Sequence, residues 1–290
     1  MKTLIFGKSG QLASEFAKLF AGHKEVYQVG QTEADFQNPL AVSKLIQEVK
    51  PKTIINCSAY TAVDKAETER EKALQVNGFI MGVIGESAKK IGASVIHYST
   101  DYVFNGQKET PYVETDSVDP INYYGYSKQV GEKNVLETCP LSFVFRVSWV
   151  YGIYGNNFLK TILRLAGERP ELKIVSDQHG APTSSHDIAK ATLQVLDDPQ
   201  FLDKAGLYHM APQGRTTWYS FTQAILEQAA KAQPSRKIVT ESVLPITSDQ
   251  FPSAAKRPKN SLLLSKKLMD TFQVGLPIWN ESVLEVLKQL

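Results

Sequence analysis

The chain has 290 residues, with 32 Lys and Arg against 30 Asp and Glu, a formal charge of +2, and 42% hydrophobic residues. That near balance excludes the broad phosphate-neutralising surface of a nucleic-acid binder, and the composition excludes a disordered or fibrous chain. Two cysteines, Cys57 and Cys139, are too few for a disulfide framework, and neither a signal peptide nor an apolar run long enough to cross a bilayer is visible, so a cytoplasmic protein with no membrane partner is expected.

In chain order, Thr3–Phe6 reads as a strand reaching Gly7, and Gln11–Phe20 as a helix with Leu12, Phe16, Leu19 and Phe20 on one face. Val26–Val29 follows as a short strand, then a helix over Leu40–Val49 with Val42, Leu45 and Ile46 inward. Thr53–Ile55 makes a third strand ending at Asn56. A long helix is predicted over Glu69–Lys90, closed by Gly92 as a left-handed cap. A fourth strand over Ala93–Tyr98, a helix over Tyr123–Glu137 and a fifth strand over Phe143–Arg146 complete the series. Alternation of this kind predicts an α/β fold, a Rossmann-type doubly wound parallel sheet whose ligands bind beyond the carboxyl ends of the strands.

After Val150 the pattern loosens: Asn156–Gly167 and Tyr219–Ala232 read as helices, the strands between them are short, and prolines gather at Pro234, Pro245, Pro252, Pro258 and Pro277. A smaller C-terminal substrate-binding lobe is expected there. The expected partition gives 1–150 to a dinucleotide-binding domain, completed by pieces from 184–205 and 238–258, and 151–183, 206–237 and 259–290 to the lobe.

Gly7-Lys8-Ser9-Gly10-Gln11-Leu12-Ala13 lies between the first strand and the first helix. There Gly7 permits a tight turn, Gly10 lets backbone approach a pyrophosphate, Ala13 permits close helix packing, and the helix N-terminus supplies positive partial charge. The second strand ends without an acid before Glu33 and Asp35 and without an arginine, which leaves NADH and NADPH both open. Asp35 with Phe36 could line the adenine; equally, Asp35 could belong to the cap of the next helix.

Tyr124 and Lys128 stand four residues apart on the fourth predicted helix, one turn from each other. An ammonium beside a phenol lowers its pKa from about 10, which makes the tyrosine a usable acid or base near neutrality. Thr100, at the end of the fourth strand, could reach the same substrate oxygen. A Tyr-x-x-x-Lys spacing alone is weak; after Ser99-Thr100-Asp101 in a dinucleotide fold it is pointed. His23, His97, His179, His186 and His209 are scattered, so no structural zinc site is expected.

These ordered motifs resemble the extended short-chain dehydrogenase/reductases and, within them, the dTDP-4-dehydrorhamnose reductase family. The resemblance runs along nearly the whole chain. It includes Asn56 to Glu67, Ser99 to Phe104, Pro120 to Gly125, Arg146 to Gly152, Gly155 to Phe158, Asp177 to Thr183 and Arg257 to Ser261. It implies reduction of the C4 ketone of dTDP-4-dehydro-L-rhamnose by hydride from NADPH or NADH, with Tyr124 as proton donor, Lys128 on the nicotinamide ribose and Thr100 on the reacting oxygen. Gly7, Gly10, Gln11 and Leu12 would cover the pyrophosphate; Asp35, Phe36, Ala59, Tyr60 and Thr61 would flank adenine and ribose, with Tyr98 at the nicotinamide end. Asp101, Tyr102, Trp149, Asn157 and Arg257 would contact the dTDP-sugar; the alternative readings are a helix N-cap for Asn157 and core at the lobe junction for Trp149.

Some members form a homodimer through a magnesium ion. Glu15 matches one of its carboxylate positions, but His186 stands where the second would fall, which speaks against that bridge. A non-catalytic dinucleotide-binding regulatory subunit is the alternative from another class, and the intact Thr100, Tyr124 and Lys128 oppose it. Another nucleotide-sugar reductase or epimerase is the nearer alternative, and the stereochemistry at C4 stays open, rhamnose or talose.

Overall fold

The computed structural model describes residues 2–290. Its first five strands are β1 (Thr3–Phe6), β2 (Val26–Val29), β3 (Thr53–Asn56), β4 (Ser94–Thr100) and β5 (Ser142–Val147). With a sixth strand, Gly206–His209, they form one parallel sheet in the order Gly206–His209, β5, β4, β3, β1, β2. From β1 the chain moves to β2 on one side and then crosses to β3 on the other. A crevice therefore opens between the carboxyl ends of β1 and β3.

The helices are α1 (Gln11–Leu19), α2 (Pro39–Val49), α3 (Val63–Ala66), α4 (Arg70–Leu74), α5 (Ile80–Ile91), α6 (Tyr123–Thr138), α7 (Phe158–Ala166), α8 (Ser185–Asp197), α9 (Trp218–Ala232), α10 (Lys266–Phe272) and α11 (Trp279–Leu287). Successive strand residues point to opposite faces, and both faces are covered. Ile5, Ile55, Ile96, Phe143 and Phe145 pack against Phe16 of α1, Ile188 and Val195 of α8 and Phe272 of α10. On the other face Leu4, Phe6, Ile54, Val95 and Val144 meet Val42 and Ile46 of α2, Ile80 and Ile84 of α5 and Val135 of α6.

The single helix expected over Glu69–Lys90 is instead α4, a π-turn over Gln75–Phe79 and α5, ending on Gly92 with φ 66°. The π-turn lies where α6 comes very close: a Cβ on Gly131 would sit 2.1 Å from the Asn77 carbonyl oxygen. Helix α2 is capped by Asn38, whose side chain accepts from the Ala41 N–H at 3.1 Å, so Asp35 is not its cap.

The smaller lobe has its own core, in which Leu159 and Ile162 of α7, Phe221 and Ile225 of α9 and Val283 and Leu287 of α11 enclose Tyr151. Strand pairing departs from the expected partition at two places. Gly206–His209 lies in the large sheet beside β5, because Tyr208 and Met210 join the apolar face shared with α8 and α10. Ser242–Ile246 pairs with Glu171–Val175 in a separate two-stranded sheet, where Pro245, which lacks an N–H, is tolerated at an edge. Among the described residues no helix is long and apolar enough to cross a membrane.

Candidate active site

Tyr124 and Lys128 are placed by the first turns of α6. Asn122 caps that helix, accepting from the Gly125 N–H at 2.8 Å. Gly125 is obligatory, since a Cβ there would lie 2.0 Å from the Tyr102 carbonyl oxygen, and this close approach brings Tyr124 to the end of β4. The Tyr102 and Tyr124 rings meet edge to face at 5.9 Å. The Thr100 hydroxyl accepts from the Tyr102 N–H at 3.2 Å and donates to Asp101 Oδ1 at 3.0 Å. Asp101 Oδ2 is buried with no hydrogen-bond partner in the protein.

Burial pushes the Asp101 carboxyl up to about 6, with the nearby Ser261 and Thr100 hydroxyls acting the other way. Burial, and then the Asp101 charge, push the Tyr124 phenol above its ordinary value, with the neighbouring Thr100 acting the other way. Lys128 is buried; its Nζ donates to the Tyr98 carbonyl at 2.6 Å and lies 3.3 Å from His97 Nε2. The Lys128 amine is thus engaged by β4, and the direction of the Tyr124 shift comes from burial and Asp101. Burial brings Lys128 itself down to about 8, with Glu132 acting upward.

At the glycine turn, Gly7 has φ 113° and its N–H donates to the Val29 carbonyl at 2.8 Å. Gly10 is the N-cap of α1, and no heavy atom lies within 4 Å of the place a Cβ would take, so its backbone is open to a ligand. Lys8 pairs with Glu33, which also accepts from the Gly30 N–H, and the Glu33 carboxyl is held down to about 2 by Lys8 first and then Thr32 and Gly30. After β3, Ala59 and Thr61 are exposed, and the Tyr60 backbone is pinned on both sides by the Asn77 amide at 2.8 and 3.0 Å.

On the lobe side a cleft of about 2000 Å³ is lined by seven Lys or Arg, among them Arg169, Lys173, Arg215, Arg257 and Lys259, and by four Asp or Glu. Arg257 pairs with Asp64 at 2.8 Å and its charge reaches Tyr102, which carries the cleft to the Tyr124 corner. Trp149, in a left-handed backbone conformation with φ 48°, stacks on Trp218 at 3.5 Å. A Cβ on Gly180 would lie 2.4 Å from that indole.

Comparison with known proteins matches the whole chain, residues 1–290, to the family described as RmlD substrate binding domain. The chain is 41% identical to a dTDP-4-dehydrorhamnose reductase of Escherichia coli K12, covering 100% of this chain and 98% of that protein. It belongs to the dTDP-4-dehydrorhamnose reductase family. A crystal structure of such a reductase from Clostridium acetobutylicum superposes with a TM-score of 0.92 at 36% identity, over 100% of this chain and 99% of that one. Another, from Bacillus anthracis and in complex with NADP, gives 0.91 at 34%, over the full length of both chains.

Three of the residues expected to contact ligands also have partners within the protein. Tyr98 points into the core, its phenol 2.8 Å from Thr192 Oγ1, and only its carbonyl reaches Lys128. Phe36 is buried edge-on against Phe6 at 5.3 Å, in the core beside α2, while Asp35 Oδ1 accepts from the Gln37 N–H. Asn157 caps α7 through the Lys160 N–H, and its amide nitrogen donates to Gln11 Oε1 at 2.9 Å and the Gly152 carbonyl at 2.8 Å. It ties the lobe to the glycine turn. Gln11 is thus shared between the two lobes, and Leu12 packs partly buried on the sheet.

Glu15 is buried between Ser185 at 3.3 Å and His186 at 3.1 Å. Among the described residues no group of three or more His, Cys, Asp or Glu is placed to hold a metal. Asn77 and His97 carry roles that spacing did not reveal. Asn77 clamps Tyr60 to Ser127 of α6, and the one visible signal was Gly78 inside a helical pattern.

Proposed function

We propose that the protein reduces the C4 ketone of dTDP-4-dehydro-L-rhamnose to dTDP-L-rhamnose with NADPH or NADH, Tyr124 supplying the proton. The observation that carries this reading is the corner made by Thr100, Asp101 and Tyr124 at the carboxyl end of β4, with one buried Asp101 oxygen left unpartnered. An orphaned buried acceptor is costly, and a sugar hydroxyl satisfies it. The open Gly10 backbone at the N-terminus of α1 fits a dinucleotide pyrophosphate, and the cofactor, when bound, supplies the hydride.

The chain's own residues do the rest. Burial keeps the Tyr124 phenol protonated, the state a proton donor needs in a reduction. As the ketone carbon gains hydride its oxygen becomes an alkoxide, a stronger base than phenolate, so the phenolic proton moves from Tyr124 to that oxygen. Thr100 hydrogen-bonds the same corner and holds the oxygen in line. The excess of cations in the lobe cleft suits the diphosphate of the substrate, with Arg257 joining that cleft to Tyr102.

The test is to incubate the pure protein with dTDP-4-dehydro-6-deoxyglucose, the matching 3,5-epimerase and each reduced cofactor, following cofactor oxidation and identifying the sugar. Formation of dTDP-L-rhamnose is expected. No oxidation with either cofactor overturns the reading, and a talose product corrects its stereochemistry.

A further inference from the structure

His97 has no part in the reading above, yet its ring is a buried contact of the Lys128 amine. It stands on β4 between two partners: Nδ1 lies 3.2 Å from Asn56 Nδ2, and Nε2 lies 3.3 Å from Lys128 Nζ. The orientation of the Asn56 amide follows from its surroundings. The Ser58 backbone N–H can only donate and lies 3.0 Å from Asn56 Oδ1, so the oxygen occupies that side and the NH2 group faces His97 and, at 3.1 Å, Met81 Sδ. An amide NH2 also can only donate. His97 Nδ1 therefore accepts, and the one hydrogen of a neutral imidazole sits on Nε2, directed at Lys128. Burial, and then the Lys128 charge, hold the His97 ring well below its ordinary pKa and so neutral. An ammonium has three donors and no lone pair, whereas a neutral amine has one lone pair to receive this hydrogen.

We propose that His97 is a positioning residue: held with its hydrogen on Nε2 by Asn56 and Ser58, it favours the neutral amine of Lys128 over the ammonium. The proposal rests on reading Lys128 as part of the reducing set. Glu132, one turn along α6, acts in the opposite sense, but its two oxygens are taken by Arg146 of β5 at 2.9 and 2.7 Å. Tyr124 lies one turn back on α6; Tyr98 of β4 offers its carbonyl, its phenol being turned to Thr192 of α8. Cys57 follows β3 and Asp101 follows β4. Lys128 is thus drawn both ways and exchanges its proton within the working range.

Nitrogen-15 correlation spectra of the full-length protein without substrate read the His97 tautomer directly. At about pH 9, above the titration of the lysine, a neutral ring with its hydrogen on Nε2 is expected, and a hydrogen on Nδ1 overturns the proposal. In His97→Gln the side-chain amide can turn its oxygen to the ammonium. The Lys128 titration, followed by side-chain carbon-13 shifts, and the alkaline limb of kcat should both rise by about one pH unit, a tenfold change in the ammonium-to-amine ratio. An unmoved titration also overturns it. If His97→Gln does not fold, the wild-type spectrum decides alone. The tautomer is read without turnover, so a failure of the reductase reading would leave this measurement standing.

Discussion

In the sheet lobe the groups assigned to the reaction sit on a strand end and a helix pressed together so closely that a Cβ at Gly125 would lie 2.0 Å from a backbone oxygen. In the small lobe, Arg169, Lys173, Arg215 and Lys259 line the cleft from exposed positions. Bond-making needs atoms held to fractions of an ångström, and buried backbone contacts supply that. Recognition of a diphosphate needs charge at short range more than fixed geometry, and exposed cations supply that at the cost of sensitivity to salt. Changes in the first region should therefore lower kcat or stability, and changes in the second should raise KM.

The largest effect that sharpens this contrast is on the lock between α6 and β5. Arg146 and Glu132 form a bidentate pair at 4% and 6% side-chain exposure. Glu132→Gln leaves a buried guanidinium uncompensated and should cost about 3–5 kcal/mol in urea unfolding; a loss below about 1 kcal/mol would mean that the helix is held by packing alone. Next comes Asp101. Its folded pKa of about 6 lies above the unfolded value of about 3.9, so between those values the folded state binds more protons and stability falls as pH rises. Above about pH 6 the whole penalty is present. Asp101→Asn should raise stability there by on the order of 2 kcal/mol, flatten the pH dependence between about 4 and 6, and lower turnover. A variant whose stability still fell across that window would place the titrating group elsewhere. The smallest effect belongs to the lobe: Arg257→Ala should raise KM for the dTDP-sugar about tenfold, roughly 1.4 kcal/mol, with little change in kcat. A kcat effect of that size with KM unchanged would erase the contrast.

Thr3–Phe6 is legible because a strand covered on both faces reads as an apolar run; Val26–Val29, a half-exposed edge strand interrupted by Gln28, is legible from its flanking valines, and the end of β3 at Asn56 from the polar residue that closes Thr53–Ile55. The π-turn at Gln75–Phe79 was hidden, because an extra residue in a helix leaves the apolar period almost intact and its cause, the approach of α6, is tertiary. Which sheet Gly206–His209 and Ser242–Ile246 join is set by tertiary packing and not by local pattern. In the site, the Tyr124 and Lys128 spacing was visible because i, i+4 is a local geometry. The partners of Lys128 were not: His97 and the Tyr98 carbonyl meet it only once α6 lies across β4. Phe36 and Asn157 show the converse, residues whose place in a motif suggested ligand contact and whose side chains are used by a core and a cap.

The central claim, that Tyr124 delivers the proton, is tested most directly by Tyr124→Phe, which keeps the ring packed against Tyr102 and removes only the hydroxyl. Cofactor binding and thermal unfolding should stay close to wild type while kcat for dTDP-4-dehydro-L-rhamnose falls by about 10²–10⁴-fold. Turnover within a few-fold of wild type, with cofactor still bound, would contradict the account.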